Sequence, residues 1–173
     1  MNAIQSEVFE AIWSLASIPD FKSLYEKSHF RYGFLNYIAK YSLARDTYLA
    51  TDSALDHLLR GKFLDSFGRL RRGLKCRKNG FTYEHPVPSN VIGAEIAKSE
   101  KSRASVSKIL SWSDCIVILT SKEDSHLRES GYGVSQVNGW KYFESSQFSR
   151  YFASGICSIP PTVELEMYGS VIR

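Results

Sequence analysis

Glu84 and His85 stand side by side in the stretch FTYEHPVPSNVI, residues 81–92, and two prolines follow them closely. An imidazole can take a proton from a reacting oxygen near neutral pH, and a neighbouring carboxylate can assist it. Proline biases the preceding residue towards extended backbone, so His85 and Val87 are not expected in a helix. The alternative interpretation is structural: a strand end that turns into a helix. Chemically, the pair is a candidate general base with an assisting acid.

A second set of candidate residues flanks the apolar run CIVIL, residues 115–119. Carboxylates bind Mg²⁺ or Mn²⁺, and imidazole binds several divalent metals. The acidic and imidazole side chains around this run are Asp114, Glu123, Asp124 and His126. Acidic side chains also stabilise a helix N-terminus by about 0.3–1 kcal/mol each, which gives Glu123 and Asp124 a structural alternative. His126 has the alternative of an exposed helical residue.

Arg150 is the third candidate, within the stretch SRYFASGI, residues 149–156. A guanidinium can hold a phosphate through two parallel hydrogen bonds and stabilise charge in a transition state. The alternative is an ion pair with an acid. His29 and His57 have no neighbours that support a chemical role, and we interpret both as structural or exposed.

Eight cations and a single acid lie between Arg60 and Asn79, directly before the Glu84-His85 pair. The cations are Arg60, Lys62, Arg69, Arg71, Arg72, Lys75, Arg77 and Lys78. A local basic surface concentrates polyanions and binds phosphates through counterion release. A solvated helix face is the alternative. We predict that this segment binds nucleic acid.

The sequence EHPVP, residues 84–88, resembles the opening of the HNH, or His-Me finger, nuclease motif. The stretch from Asp114 to Leu127 is similar to the second half of that motif, so the resemblance covers residues 81–128. It implies hydrolysis of phosphodiesters with His85 as general base and Glu84 assisting. It also implies a divalent ion such as Mg²⁺ or Mn²⁺, for which Asp114, Glu123, Asp124 and His126 are the candidate metal ligands. The chain departs from the family pattern in three ways: a long helical spacer, Asp114 in place of the Asn, and a shifted second His.

Composition restricts the class of protein. The chain has 173 residues, 43% hydrophobic and 13% aromatic, which favours a packed globular domain. Its three cysteines form no CxxC pair, no apolar run approaches the ~20 residues that span a bilayer, and the N-terminus has no basic targeting region. We therefore expect a cytoplasmic protein without a membrane partner. The chain also lacks a glycine-rich phosphate loop, so no nucleotide or flavin cofactor is expected.

Hydrophobic periodicity predicts an α+β protein that is predominantly helical, with two or three short strands. The predicted helices include residues 3–16, two consecutive helices from 30 to 59 with a break near 50–52, 63–74, 121–130 and 140–152. The predicted strands are residues 81–84 and 115–119. We interpret residues 1–173 as a single domain, with a helical part (1–60), a part that carries the site (61–157) and an irregular or extended tail (158–173).

The leading hypothesis is a nuclease-like protein that acts on DNA or RNA, in a defence, toxin or mobile-element setting. A metal-independent ribonuclease is a variant of the same hypothesis. The alternative from another class is a non-catalytic module that binds nucleic acid or protein through the basic segment, residues 60–78. A third interpretation is a partner-binding protein whose N-terminal helices form a homo-oligomer or another protein interface.

Overall fold

The computed structural model describes residues 1–71 and 74–167, which form eight α-helices and a four-stranded sheet. The helices are α1 (Ala3–Ala16), α2 (Phe21–Glu26), α3 (Ser28–Leu43), α4 (Asp52–Arg60), α5 (Ser89–Lys98), α6 (Arg103–Ser113), α7 (Ser121–Glu129) and α8 (Ser149–Ala153). The strands are β1 (Thr47–Ala50), β2 (Phe81–Glu84), β3 (Val117–Thr120) and β4 (Val163–Glu166), and a 3-10 helix spans Cys76–Asn79. The predicted class, α+β and predominantly helical, is confirmed.

The sheet has the strand order β2-β3-β1-β4. β1 and β3 run parallel, with Leu49 opposite Val117, and the two outer strands are antiparallel to their neighbours. Because β1 and β3 are parallel neighbours, both end at the same edge of the sheet. α4 begins directly after β1 and α7 directly after β3, so the sheet places the start of both helices at that edge.

β3 is the centre of the fold, as its unbroken apolar run predicts. Val117, Ile118 and Leu119 are each completely buried. Alternate side chains along a strand point to opposite faces. Accordingly, Ile118 packs in a cluster with Leu58 of α4, and Val117 and Leu119 pack in another with Leu127 of α7. The two faces of one strand therefore fix α4 and α7 on opposite sides of the sheet.

Helices α1, α2, α3, α5 and α6 share a separate apolar core, with Phe9, Ile12, Phe34, Ile38 and Ile92 at its centre. α1 occupies the predicted residues, because its apolar side chains recur at helical spacing and Asn2 and Gln5 form a capping box. Within the described residues, none of the helices combines the length and apolarity required to cross a membrane.

The segment Thr47–Ala50 is a strand, where helix was predicted up to a break near residues 50–52. Tyr48 and Ala50 are buried while Thr47 and Leu49 are partly exposed, which is the period of two of a strand. The spacing of Tyr48 from Tyr41 also fits a helical stripe, so the pattern in the sequence is ambiguous. Pairing with β3 and β4 decides the outcome.

The helix predicted over residues 63–74 is wrong in the part that the structure describes. The Asp65 carboxylate accepts hydrogen bonds from the backbone N–H groups of Phe67 and Arg69, both at 2.9 Å, and closes a tight loop. Gly68 has φ +76°, which a helix does not allow. Short polar side chains that bond their own backbone favour turns over helices.

The helix predicted over residues 140–152 is confined to α8, and turns precede it. Phe143 has φ +67°, and the indole N–H of Trp140 donates to the Ser146 carbonyl at 2.9 Å. The tail contains β4, which pairs with β1, so the sheet has four strands where two or three were expected. Residues 168–173 lie outside the described part of the chain.

Candidate functional site

A cleft of about 620 Å³ opens at the sheet edge where α4 and α7 begin. Two threonines cap these helices: Thr51 Oγ1 accepts from the Ala54 N–H at 3.2 Å, and Thr120 Oγ1 accepts from the Glu123 N–H at 3.1 Å. The charged side chains and imidazoles that line the cleft are Asp56, His57, Arg60, Lys122, Glu123 and His126. Gly155 and Ile156, which follow α8, complete it.

One oxygen of Glu123 joins the two caps. Its Oε2 accepts from the Thr120 N–H at 2.7 Å, from the Thr120 hydroxyl at 2.9 Å and from the Thr51 hydroxyl at 3.0 Å. Thr120 and Glu123 therefore form a capping box at the start of α7. Because Thr51 precedes α4 and Glu123 belongs to α7, this carboxylate also ties the two walls of the cleft together.

His57 and His126 line the cleft from α4 and α7. His57 Nε2 lies 2.6 Å from the Asn79 carbonyl oxygen, and His126 Nε2 lies 2.8 Å from the Ser154 carbonyl oxygen. A carbonyl only accepts hydrogen bonds, so each Nε2 carries the proton. Nδ1 is then the basic nitrogen of each neutral ring. Both imidazoles are held in one tautomer by backbone carbonyls.

The sequence led us to interpret His57 as structural or exposed, and the structure places it in the cleft with His126. The available signal was its place on α4, where Ser53, His57 and Arg60 share one helical face. Gly80 supports this ring: a Cβ at Gly80 would lie 2.9 Å from His57 Nε2, and Gly80 has φ +79°. The Asn79-Gly80 turn therefore both bonds the imidazole and leaves room for it.

The charges inside the cleft balance. Arg60 forms an exposed ion pair with Asp56, and Lys122 stands beside Glu123 in the sequence. The excess positive charge comes from the neighbouring segment. Its exposed cations are Lys62, Arg71, Lys75, Arg77 and Lys78. Part of this segment forms the 3-10 helix Cys76–Asn79. This helix ends at Asn79, whose carbonyl oxygen binds His57. Arg69 is bound to Asp65, and Arg72 lies outside the described residues.

Glu84 and Arg150 meet, but inside the protein. Arg150 is completely buried and forms an ion pair with Glu84, whose side chain is 21% exposed. Arg150 also donates to the carbonyls of His85, Pro86 (3.0 Å) and Tyr132 (2.5 Å). Burial raises the pKa of Glu84, and the adjacent guanidinium opposes that rise. The hydrogen-bond donors of the Arg150 guanidinium are therefore bound by groups of the protein. This agrees with the structural alternative for Arg150, an ion pair with an acid.

His85 does not line the cleft. Its ring is hydrogen-bonded to the Ala39 backbone, and its Nε2 is buried without a partner. Burial lowers the pKa of His85 to about 4, and the Arg150 charge adds to this, while the bond to Ala39 opposes it. That His85 is a general base stays a prediction, and the burial of its Nε2 argues against it.

Burial of neutral His85 predicts a loss of stability in acid. Its folded-state pKa of about 4 lies below the unfolded value near 6.5, so the unfolded chain binds the proton first as the pH falls. Its contribution to stability is present above pH 6.5 and is lost progressively towards pH 4. Between pH 7 and pH 5 we expect wild type to lose about 2 kcal/mol more than His85→Gln in urea unfolding. Parallel stability curves for the two proteins would contradict this.

The four candidate metal ligands are not assembled. Asp114 lies before β3, where its carboxylate binds Arg45 at 3.2 Å and Gln5 at 3.0 Å. Glu123 lies beyond the other end of that strand, and the six residue-to-residue steps from Asp114 to Thr120 span roughly 20 Å. Asp124 pairs with Arg128 at 2.6 Å, and it does not line the cleft with Glu123 and His126.

In residues 1–71 and 74–167 no three His, Cys, Asp or Glu side chains are grouped so that they could hold a metal ion. A bound Mg²⁺ or Mn²⁺ ion therefore stays a prediction. No protein-family model matches the chain, and neither a curated protein nor a solved structure is significantly similar to it. The HNH resemblance accordingly rests on the sequence motifs at residues 81–128.

Proposed function

We propose that the protein binds nucleic acid and cleaves RNA phosphodiesters in the cleft between α4 and α7. The observation that supports this most is the pair of imidazoles, His57 and His126, in one cleft with Arg60 and Lys122. The His general base expected from the sequence is retained, but its place moves from His85 to the cleft. The exposed cations of residues 62–78 supply the affinity for the phosphate backbone.

Two imidazoles suffice for cleavage through the 2′-hydroxyl of RNA. One imidazole, in its neutral form, takes the proton of the 2′-hydroxyl. The 2′-oxygen then attacks phosphorus and forms a new P–O bond. The bond from phosphorus to the 5′-oxygen breaks, and the other imidazole, in its protonated form, gives its proton to that leaving oxygen. The products are a 2′,3′-cyclic phosphate and a 5′-hydroxyl, so atoms and charge balance.

Two cations of the cleft favour negative charge on the phosphoryl oxygens. These cations are Arg60 and Lys122, and the anions Asp56 and Glu123 also line the cleft. Arg60 must exchange its contact with Asp56 for a phosphate oxygen. That ion pair is highly exposed, so the exchange costs little.

The test is an incubation of the protein with a labelled RNA oligonucleotide, the same oligonucleotide with 2′-deoxyribose at the cleavage position, and the matching DNA. We expect cleavage of the RNA alone, equal in EDTA and in Mg²⁺, with products that end in a 2′,3′-cyclic phosphate. His29→Ala, an exposed histidine of α3 away from the cleft, is the matched control and should cleave like wild type. Cleavage of DNA that needs Mg²⁺ or Mn²⁺ would instead support metal-dependent hydrolysis.

The non-catalytic binding module remains the second candidate. The exposed basic segment supports it as strongly as it supports the catalytic proposal. It predicts salt-sensitive binding of the same oligonucleotides with no product in any of the reactions above. Binding without cleavage would therefore reject the catalytic proposal and retain the nucleic-acid partner.

A further inference from the structure

Phe67 projects from the tip of a tight loop in the basic segment, and 79% of the residue is exposed. Leu64 and Leu70 form an isolated antiparallel bridge at the base of the loop, and Leu70 is buried in the core. Asp65 holds the tip through the N–H groups of Phe67 and Arg69, both at 2.9 Å. The ring is therefore presented to solvent by an ordered loop.

Single exposed apolar side chains are common on protein surfaces, so exposure alone means little. The inference rests on the cationic side chains near the Phe67 ring. The Arg69 guanidinium carbon lies 4.9 Å from the Phe67 ring centroid, and Lys62 and Arg71 are exposed cations beside the loop in the sequence. An aromatic ring among cations is the composition of surfaces that bind single-stranded nucleic acid, where bases stack on rings and cations contact phosphates.

We propose that Phe67 stacks on a nucleobase of single-stranded nucleic acid while Lys62 and Arg71 contact its phosphates. The inference rests on the proposed function for the class of ligand, but not on cleavage. Arg69 lies against the ring, and the high exposure of Phe67 leaves ring surface for a base. In a duplex the bases are already stacked and paired, so the same ring gains little from contact with it. The preferred substrate is therefore single-stranded.

The test measures fluorescence anisotropy of a labelled 12-nucleotide DNA strand, which lacks the 2′-hydroxyl, and of the duplex with the same sequence. We expect Phe67→Ala and Phe67→Leu to weaken single-strand binding about 5- to 150-fold, since stacking contributes about 1–3 kcal/mol per base. The salt dependence and duplex binding should stay unchanged. Tyr32→Ala, a residue of α3 that is 71% exposed, is the matched aromatic control and should bind like wild type.

Lys62→Gln with Arg71→Gln should behave differently. It should weaken single-strand and duplex binding alike and reduce the slope of log affinity against log salt by about one to two. Wild-type affinity in Phe67→Ala would overturn the inference, as would full affinity in Phe67→Leu or a wild-type protein that binds no single strand. Loss of binding to anionic lipid vesicles in Phe67→Ala, with unchanged binding to the strand, would also overturn it. If the cleavage proposal is wrong, the RNA stays intact in the separate cleavage assay.

Discussion

His126→Ala should lower the rate of RNA cleavage by about 10²- to 10⁴-fold, the usual contribution of a positioned general acid or base. Its free energy of unfolding should change little, because His126 is exposed and loses a single bond to the Ser154 carbonyl. His57→Ala should lower the rate by a similar factor. The measurement is single-turnover cleavage of saturating RNA, beside urea unfolding of each variant.

His126→Gln separates proton transfer from positioning. Its amide N–H can still donate to the Ser154 carbonyl, but it cannot exchange a proton with the substrate. We expect the same loss of rate as in His126→Ala, and the bell-shaped dependence of the rate on pH should lose one limb. In the double variant, His57→Ala with His126→Ala, the rate should fall by less than the product of the two single factors, because both residues act in one reaction. Full activity in His126→Ala together with inactive His85→Ala would return the general base to His85.

Arg150→Ala should lower the free energy of unfolding by about 3–5 kcal/mol, the effect of removing one partner of a buried ion pair. It leaves Glu84 unpaired and removes the donors to the carbonyls of Pro86 and Tyr132. Arg150→Lys should also be destabilised, because an ammonium group cannot reproduce a planar fork of five donors. Urea unfolding measures both, and Arg150→Lys supplies the result if Arg150→Ala does not fold.

Arg103→Ala is the matched control for Arg150. Arg103 pairs with Glu10, but both side chains are about half exposed, so we expect a much smaller loss of stability than for Arg150→Ala. A double-mutant cycle with Glu84→Gln and Arg150→Met should show coupling between the two residues, because they share one buried contact. Equal stability losses in Arg150→Ala and Arg103→Ala would show that burial of the guanidinium contributes nothing to the fold.

The sequence predicted those elements whose signals are local. α1 and β2 occupy the predicted residues, because a helical stripe and the run FTYE between a turn and a proline need no distant partner. β1 was missed because four residues that fit either period become a strand only by pairing with β3 and β4. The loop around Phe67 was missed for another reason. Its fold depends on the Asp65 side chain, which hydrophobic periodicity does not register.

The site was predictable only in part. Residue types suggested Glu123, His126 and Arg60, and the structure brings these three to one cleft. His57 was passed over because its partner, the Asn79 carbonyl, lies 22 residues later in the chain. The adjacent pair Glu84 and His85 drew attention by chemical type. Its surroundings depend on Arg150, 66 residues away, and no local pattern predicts that contact.

The bond between Thr51 and Glu123 has a consequence for the folding of the cleft. Its two ends lie 72 residues apart, so the walls of the cleft meet only after a long stretch of chain has lost conformational freedom. Contacts of this sequence separation form slowly compared with those inside a helix. A nascent chain that ends before α7 would contain His57 but neither His126 nor the carboxylate that aligns the two walls. Any activity of the cleft should therefore appear only after synthesis has passed α7.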